Sequence, residues 1–376
     1  MAVAPQSAAA QLYEESSHSE VQLEGYDYVR LNVGNAYQTM HFLRNSFGFT
    51  PVAYSGLETG ARDQVSYVLG QGSIRVIVTS PLDPSGSIAE EIKVHGDAVK
   101  EIAFTVKDAA QAFHQALLSG ACPVAEPLVQ EDQSGSVVVA SVQACGDLIH
   151  SFVQRANYRG LFLPEYRAIP GGDPVNFDHL LELDHIALSF PPGELDRSVE
   201  AYKAVLGLEV AHEENIVTQY SAMNSKVVQN SSGTVRFPMM EPGQGQRKSQ
   251  IEEYLKYNHG PGVQHLAFSC KDIVQTVRAF GDAGVEFLKT PQAYYDVLTA
   301  RVGSIHQDVE VLRGLNVLVD RDEWGHLLQI FTKPISGRPT LFFELIQREG
   351  ARGFGSGNIR ALFDAVEREQ RIRGNL

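Results

Sequence analysis

Apolar positions recur along this chain in two spacings that take turns. Residues 26–33 (Tyr26-Asp27-Tyr28-Val29-Arg30-Leu31-Asn32-Val33) alternate like a strand, and residues 36–47 follow with helical spacing. Gly48-Phe49 then opens a further strand. The same plan returns at Asp184-His185-Ile186-Ala187-Leu188, where a helix is expected over residues 194–205, a stop at Gly207 and a strand from Leu208. A second pair is closer: His95 to Phe104 matches His259 to Phe268, and each is followed by Lys-Asp, a helix and a small-residue turn. A third pair aligns His150-Ser151-Phe152-Val153-Gln154-Arg155 with Phe343-Glu344-Leu345-Ile346-Gln347-Arg348.

The chain therefore reads as a duplicated module, and a repeat of this length constrains the fold more than any local pattern. Each half is strand, helix, then several strands, twice over, which is an α+β plan with a curved mixed sheet closed around a cavity. Residues 1–22 read as a disordered tail, 23–156 as one domain and 179–376 as another. Between them, residues 157–178 read as a linker in which Pro164, Pro170, Gly171, Gly172 and Pro174 cluster.

Three metal-competent side chains sit in short apolar strands of the second half: His185, His265 and Glu344. Two neutral imidazoles and a carboxylate suit a non-haem Fe(II) site with open positions. A lone strand histidine is more often a packed core residue, but a carboxylate beside Phe342 and Phe343 needs a partner. The repeat supplies a control, because the matching positions of the first half are Tyr28, Glu101 and Ser151, a set expected to bind no metal. His95 and His259 recur at one point of both halves and read as structural; His150, His212, His306 and His326 read as surface or packing residues.

Composition narrows the classes. The net charge of −14 disfavours nucleic acid as a partner, and the apolar runs are too short to span a membrane. Residues 1–20 lack the pattern of a secretory signal. Three cysteines, Cys122, Cys145 and Cys270, suit a reducing, cytoplasmic setting rather than a disulfide framework.

Near the end, the Gly-rich run Gly353-Phe354-Gly355-Ser356-Gly357-Asn358-Ile359 precedes an amphipathic helix with Leu362, Phe363 and Val366 on one face. Asn358 is the expected cap. The helix reads as a lid, hinged at its glycines, that keeps water from a reactive site. Together with Lys248-Ser249-Gln250-Ile251, Gly262-Val263-Gln264-His265, residues 327–334, Arg338-Pro339-Thr340 and Arg373-Gly374-Asn375-Leu376, this run resembles the 4-hydroxyphenylpyruvate dioxygenase and 4-hydroxymandelate synthase family.

The resemblance implies two vicinal-oxygen-chelate domains built of βαβββ modules, each an open barrel. It implies Fe(II) held by His185, His265 and Glu344. Catalytic roles are implied for Gln250, Gln264, Gln329, Phe331 and Ile359, and substrate contacts for Ser225, Asn224, Pro238, Met240, Phe354 and Asn358. The partners it implies are a small 2-oxo acid and O2, with a homo-oligomer expected because the family is often oligomeric. The 2-oxo acid would chelate the metal through its carboxylate and keto oxygens, and oxidative loss of CO2 would precede hydroxylation.

The two branches of the family differ in the carbon that is hydroxylated. Asn358-Ile359 stands where dioxygenases usually have Asn-Phe, and Met240 replaces the Asn of their Phe-Pro-Ile-Asn-Glu-Pro stretch. Ala222-Met223-Asn224-Ser225 also resembles the synthase. Phe237-Pro238 and the ending Arg373-Gly374-Asn375-Leu376 resemble the dioxygenase. The expected product is 4-hydroxymandelate, with homogentisate as the alternative. An extradiol ring-cleaving enzyme would add an acid-base histidine and lack this lid, and a metal-free binding module would lack the triad.

Overall fold

The computed structural model describes residues 21–169, 179–218 and 220–374. Most of the expected tail, the last nine residues of the expected linker (170–178) and the terminal Asn375-Leu376 lie outside these residues. Four βαβββ modules make two curled sheets. The first sheet takes β1 (Gly25–Asn32), β2 (Thr50–Ser55), β3 (Gln64–Gln71), β4 (Ile74–Pro81), β5 (Ala98–Thr105), β6 (Pro123–Asp132), β7 (Gly135–Gln143), β8 (Ile149–Gln154) and the short β9 (Arg167–Ala168). Its order is β6-β7-β8-β5-β1-β4-β3-β2-β9. The second takes β10 (Leu180–Ser189), β11 (Glu209–Val217), β12 (Ala222–Gln229), β13 (Arg236–Gly243), β14 (Gly262–Cys270), β15 (Leu318–Arg321), β16 (His326–Phe331) and β17 (Phe342–Glu349). Its order, β11-β12-β13-β10-β14-β17-β16-β15, repeats the first. In each module the first strand pairs in parallel with the last, and the two modules of a sheet join through antiparallel first strands.

The expected helices form where their caps are. Ala36–Phe47 starts where Asn35 accepts from the Gln38 N–H, and ends at Gly48 with φ 74°. Its equivalent, Leu195–Leu206, ends at Gly207 with φ 66°. Alternation along each strand then sorts the residues. Ile186, Leu188, Leu266, Phe343 and Leu345 face the helices and join one continuous core that spans both halves. Phe47 of the first half packs edge-on against Phe343 and Phe280 of the second. The halves thus share their main core, and the opposite, concave face of each sheet is left for other purposes.

The two concave faces are filled differently. In the first half Tyr28, Ala53, Val68, Ile77, Ala103 and Val153 are covered by Tyr158, Phe162, Leu163 and Tyr166. The segment expected as a linker is therefore, over its first ten residues or so, a plug. Its aromatic and leucine side chains leave water by entering the barrel, where burial of each stabilises by about 1.5–3 kcal/mol. In the second half the concave face is covered instead by the helix Ser356–Ile372, which sets Phe363 among Ala187, Met223 and Met240, and Leu362 beside Phe331 and Phe342. No helix among the described residues is long and apolar enough to cross a membrane.

Candidate metal centre

Two bulges aim the side chains of the second sheet. Leu183 pairs with Phe268 and His185 with Ala267, so Asp184 is an extra residue on β10. Ala187 pairs with His265 and Leu188 with Val263, so Gln264 is an extra residue on β14. Each bulge lets two adjacent side chains serve one site. His185 and His265 reach the cavity while Asp184 and Gln264 stand behind them. The first half has the same bulges at Asp27 and Lys100.

His185, His265 and Glu344 are buried, and their donor atoms lie within 4.8 Å of one another. Glu344 Oε2 is 3.2 Å from His185 Nε2 and 3.3 Å from His265 Nε2. The outer nitrogens are held from behind: His185 Nδ1 is 2.8 Å from Asp184 Oδ1, and His265 Nδ1 is 3.2 Å from Gln264 Oε1. That support fixes which ring nitrogen faces inward. Glu344 Oε1 accepts from Gln329 Nε2 at 2.7 Å, leaving Oε2 to the centre. Phe354 packs edge-on against His185, and Phe342 stacks on His265 at 4.9 Å.

Electrostatics follow from burial and neighbours. Burial alone would raise the Glu344 carboxyl, but the two imidazoles outweigh it and hold its pKa down to about 2. Burial lowers His265 below the usual imidazole value. Burial opposes protonation of His185 as well, yet the Glu344 and Asp184 carboxylates outweigh it and raise that ring. Asp184 itself is buried, a position that disfavours its charge, but Arg348 at 2.7 Å and His185 keep it ionised. An ionised carboxylate and two inward Nε2 atoms converging in a buried pocket are a donor set that fits a divalent metal.

The matching place in the first half carries a different set of side chains. Tyr28 and Ser151 both donate to Glu101 Oε1, at 2.6 and 2.5 Å. Arg30, at the register position of Ala187, brings its Nε to 3.2 Å from Glu101 Oε2. A guanidinium supplies the positive charge, and hydroxyls take the carboxylate's lone pairs.

Most of the expected pocket residues gather on the concave face. Gln329 and Phe331 share one side of β16, Phe354 covers His185, and Met240 lies cross-strand from both Ser189 and Ser225. Pro238 lies two residues before Met240 on the same face. Ile359 packs with Met223 and Met240 beside Ala187. Gln250 and Gln264 line a cavity with Thr340 and Phe342, and Gln250 Oε1 and Thr340 Oγ1 there are buried without a hydrogen-bond partner. Buried orphans of this kind suit a polar ligand.

Two expectations fail. Asn224 is on the opposite face of β12 from Met223 and Ser225. Its Nδ2 donates to Glu241, whose other oxygen accepts from Gly193 and Leu195 N–H at a helix start. Period-two alternation therefore makes Asn224 a structural residue and not a substrate contact. Asn358 does not cap the lid helix. It lies inside the first turn, fully buried, and binds Gln329, while Asp320 accepts from the Gly357 N–H in the capping role.

The residues missed by pattern alone are Asp184, Arg348, Met223, Phe342 and Tyr294. The Asp184–Arg348 pair left a trace, because Asp27–Arg155 repeats it in the first half.

Comparison with known proteins agrees with this geometry. Residues 18–162 match the hydroxyphenylpyruvate dioxygenase N-terminal family, and residues 182–330 match the glyoxalase/bleomycin resistance protein/dioxygenase superfamily. A 4-hydroxyphenylpyruvate dioxygenase of Aspergillus fumigatus is 39% identical over 96% of this chain and 96% of its own length. One of Danio rerio is 41% identical over 93% of this chain and 92% of its own. A solved triple mutant of 4-hydroxymandelate synthase from Streptomyces coelicolor is 39% identical, with TM-score 0.85, covering 93% of this chain and 99% of the other. Repeat, site and relatives agree: the chain belongs to the 4-hydroxyphenylpyruvate dioxygenase and 4-hydroxymandelate synthase family of the vicinal-oxygen-chelate superfamily.

Proposed function

We propose that this chain binds iron(II) through His185, His265 and Glu344 and uses O2 to decarboxylate and hydroxylate 4-hydroxyphenylpyruvate. The observation that carries the reading is the convergence of two Nε2 atoms and one carboxylate oxygen, all three side chains buried and their donor atoms within 4.8 Å of one another. Bound there, iron(II) supplies the one-electron chemistry that lets O2 react with a closed-shell 2-oxo acid. The remaining work belongs to the protein. Glu344 offsets part of the metal's charge and the substrate carboxylate offsets more. The orphaned Gln250 Oε1 and Thr340 Oγ1, together with the Gln264 amide, offer hydrogen bonds to the substrate. Phe331, Phe342 and Phe354 exclude water from the reacting end, and the lid helix closes the cavity.

For the product, we read the pocket wall as favouring hydroxylation at the benzylic carbon, giving 4-hydroxymandelate and CO2. The supporting observation is that Met223, Met240 and Ile359 form one apolar surface beside Ala187, two residues from His185 on the same face. That surface offers no hydrogen bond to a phenol, and Ile359 leaves room for the ring to turn. The second reading is hydroxylation of the ring to homogentisate. It is supported by the curated relatives, which carry the dioxygenase name, and by the dioxygenase-like Phe237-Pro238. Identity does not separate the branches, since the synthase is 39% identical and the Aspergillus dioxygenase 39%. The two products are isomers, each formed with one CO2, so mass and gas release are blind to the difference. Chromatography after aerobic turnover of the iron-loaded protein decides. 4-Hydroxymandelate as the main product supports the first reading, and homogentisate the second. Absence of O2 uptake on 4-hydroxyphenylpyruvate removes both.

A further inference from the structure

Glu344 Oε1 does not face the centre, and a chain of polar groups leads away from it. Gln329 Nε2 donates to that oxygen, so Gln329 Oε1 must accept. The Asn358 amide lies 2.8 Å away and turns its Nδ2 to Gln329, because the swapped setting, which Val319 O and the Asp320 N–H would favour, would put two acceptors face to face. Asn358 Oδ1 then faces Tyr294 OH at 2.8 Å. Tyr294 OH in turn receives the Val319 N–H at 2.8 Å and Arg301 Nη2 at 2.5 Å. Arg301 also lies over the Tyr294 ring. Three side chains from separate parts of the chain, Tyr294, Asn358 and Gln329, thus connect a surface arginine to the carboxylate.

Asn358 belongs to the first turn of the lid helix, so this chain passes through the lid. The glycines around it have a packing reason. Gly355 has φ 71°, and a Cβ there would stand 2.9 Å from Gln329 Oε1; a Cβ on Gly357 would strike Arg301 Nη1. The start of the lid is thus packed directly against the relay, at Gly355 in a backbone conformation that favours glycine and at Gly357 where a Cβ would displace the Arg301 tip, and this contact replaces the hinge expected from the glycines alone.

We infer that Tyr294 and Arg301 are positioning residues for Glu344, acting through Asn358 and Gln329, so that seating the lid helix and orienting the carboxylate are one event. The inference rests on the metal reading of His185, His265 and Glu344. With the lid start lifted, Gln329 loses the partner that fixes its amide, and Glu344 Oε1 loses a donor of fixed direction. With the lid seated, Oε2 is held toward the two imidazoles. An amide relay suits this task, because each amide has a donor end and an acceptor end and transmits orientation from one neighbour to the next.

The test uses the full chain, freed of metal and titrated with Co(II), whose absorption bands report ligand geometry. Hydrogen exchange of the metal-free protein reads the lid directly. Tyr294→Phe is expected to weaken Co(II) binding about fivefold, less than the roughly 10- to 100-fold typical of groups bonded directly to a ligand. It should also shift the Co(II) bands and speed exchange of the amides of residues 356–363. Arg301→Ala is expected to act in the same direction, and Arg301→Lys to recover part of the loss. Co(II) affinity within twofold of the unaltered chain, with unchanged bands, in both Tyr294→Phe and Arg301→Ala would overturn the inference, whatever the lid exchange does. An unaltered chain that binds no Co(II) would instead remove the metal reading on which it rests.

Discussion

Glu344 and Ser151 occupy one register position in the two halves: Glu344 pairs with Ala267 across β17 and β14, and Ser151 with Ala103 across β8 and β5. His185 and Tyr28 correspond in the same way, each opposite one of those alanines. A single backbone thus carries a metal-competent set in one half and a hydroxyl–carboxylate–guanidinium cluster in the other. At these register positions the difference between the halves lies in the side chains.

Replacing His185, His265 or Glu344 by Ala is therefore expected to reduce bound iron to less than a tenth of one per chain, since the set has no spare protein ligand. Elemental analysis after loading and gel filtration measures it. Iron near one per chain in any of the three variants would refute the assignment.

Glu101→Gln is expected to leave iron stoichiometry unchanged and to lower stability. The amide cannot neutralise Arg30, whose side chain is 24% exposed, and if its oxygen keeps the two hydroxyl donors its NH2 faces that guanidinium. Breaking a buried pair from one side costs about 3–5 kcal/mol when the remaining charge is fully enclosed, so about 2–3 kcal/mol suits this partly open one. Urea denaturation gives the stability, and loss of one metal per chain would contradict the internal control.

How much of this could be read from the chain follows from what each feature needs. The ligands were legible because the repeat provides a second copy that lacks them. The bulges at Asp184 and Gln264 were not, because a bulge exists only once two strands pair. Asn224 was misread as a pocket residue because adjacency to Ser225 in a motif says nothing of which face it takes. Asn358 looked like a cap because caps are local, whereas its real partners, Tyr294 and Gln329, lie 64 and 29 residues away. The plug was hidden by the neighbouring prolines and glycines, which mark a connection and drew attention from Phe162-Leu163.

His150 gives a pH prediction away from the metal centre. Burial among Phe104, Phe237 and Tyr202 pushes its pKa down to about 3, while its Nε2 stands 2.9 Å from Tyr202 OH. Above the ordinary value of roughly 6.5 both folded and unfolded forms are neutral, and the group adds no pH dependence. Below it the unfolded chain takes up a proton that the folded chain refuses, so stability falls with pH until about pH 3. From pH 7 to pH 5 the loss from this residue is about 2 kcal/mol. His150→Gln removes that part of the slope, and urea denaturation of both proteins at the two pH values measures it. Equal slopes would show that His150 is not the group responsible.

The lid position nearest the proposed product choice is Ile359, which packs with Met223 and Met240 in the wall beside Ala187. A phenylalanine there would place a flat ring against the aromatic end of the substrate and push it along the cavity. On the benzylic reading, Ile359, shorter and branched, lets the ring sit deeper or turned so that the benzylic carbon comes closest to the metal face. The energy needed is small, since a tenfold change in partition between two carbons corresponds to about 1.4 kcal/mol. One side chain in contact with substrate supplies that much. Ile359→Phe is therefore expected to raise the homogentisate fraction at the expense of 4-hydroxymandelate, and Met240→Asn, which gives the wall a hydrogen-bonding group, to add to the shift. If Ile359 only packs the lid, the rate changes and the ratio does not. Chromatography of both products from the native and altered proteins separates these outcomes. Homogentisate as the dominant product of the native chain would sink the benzylic reading and leave ring hydroxylation in its place.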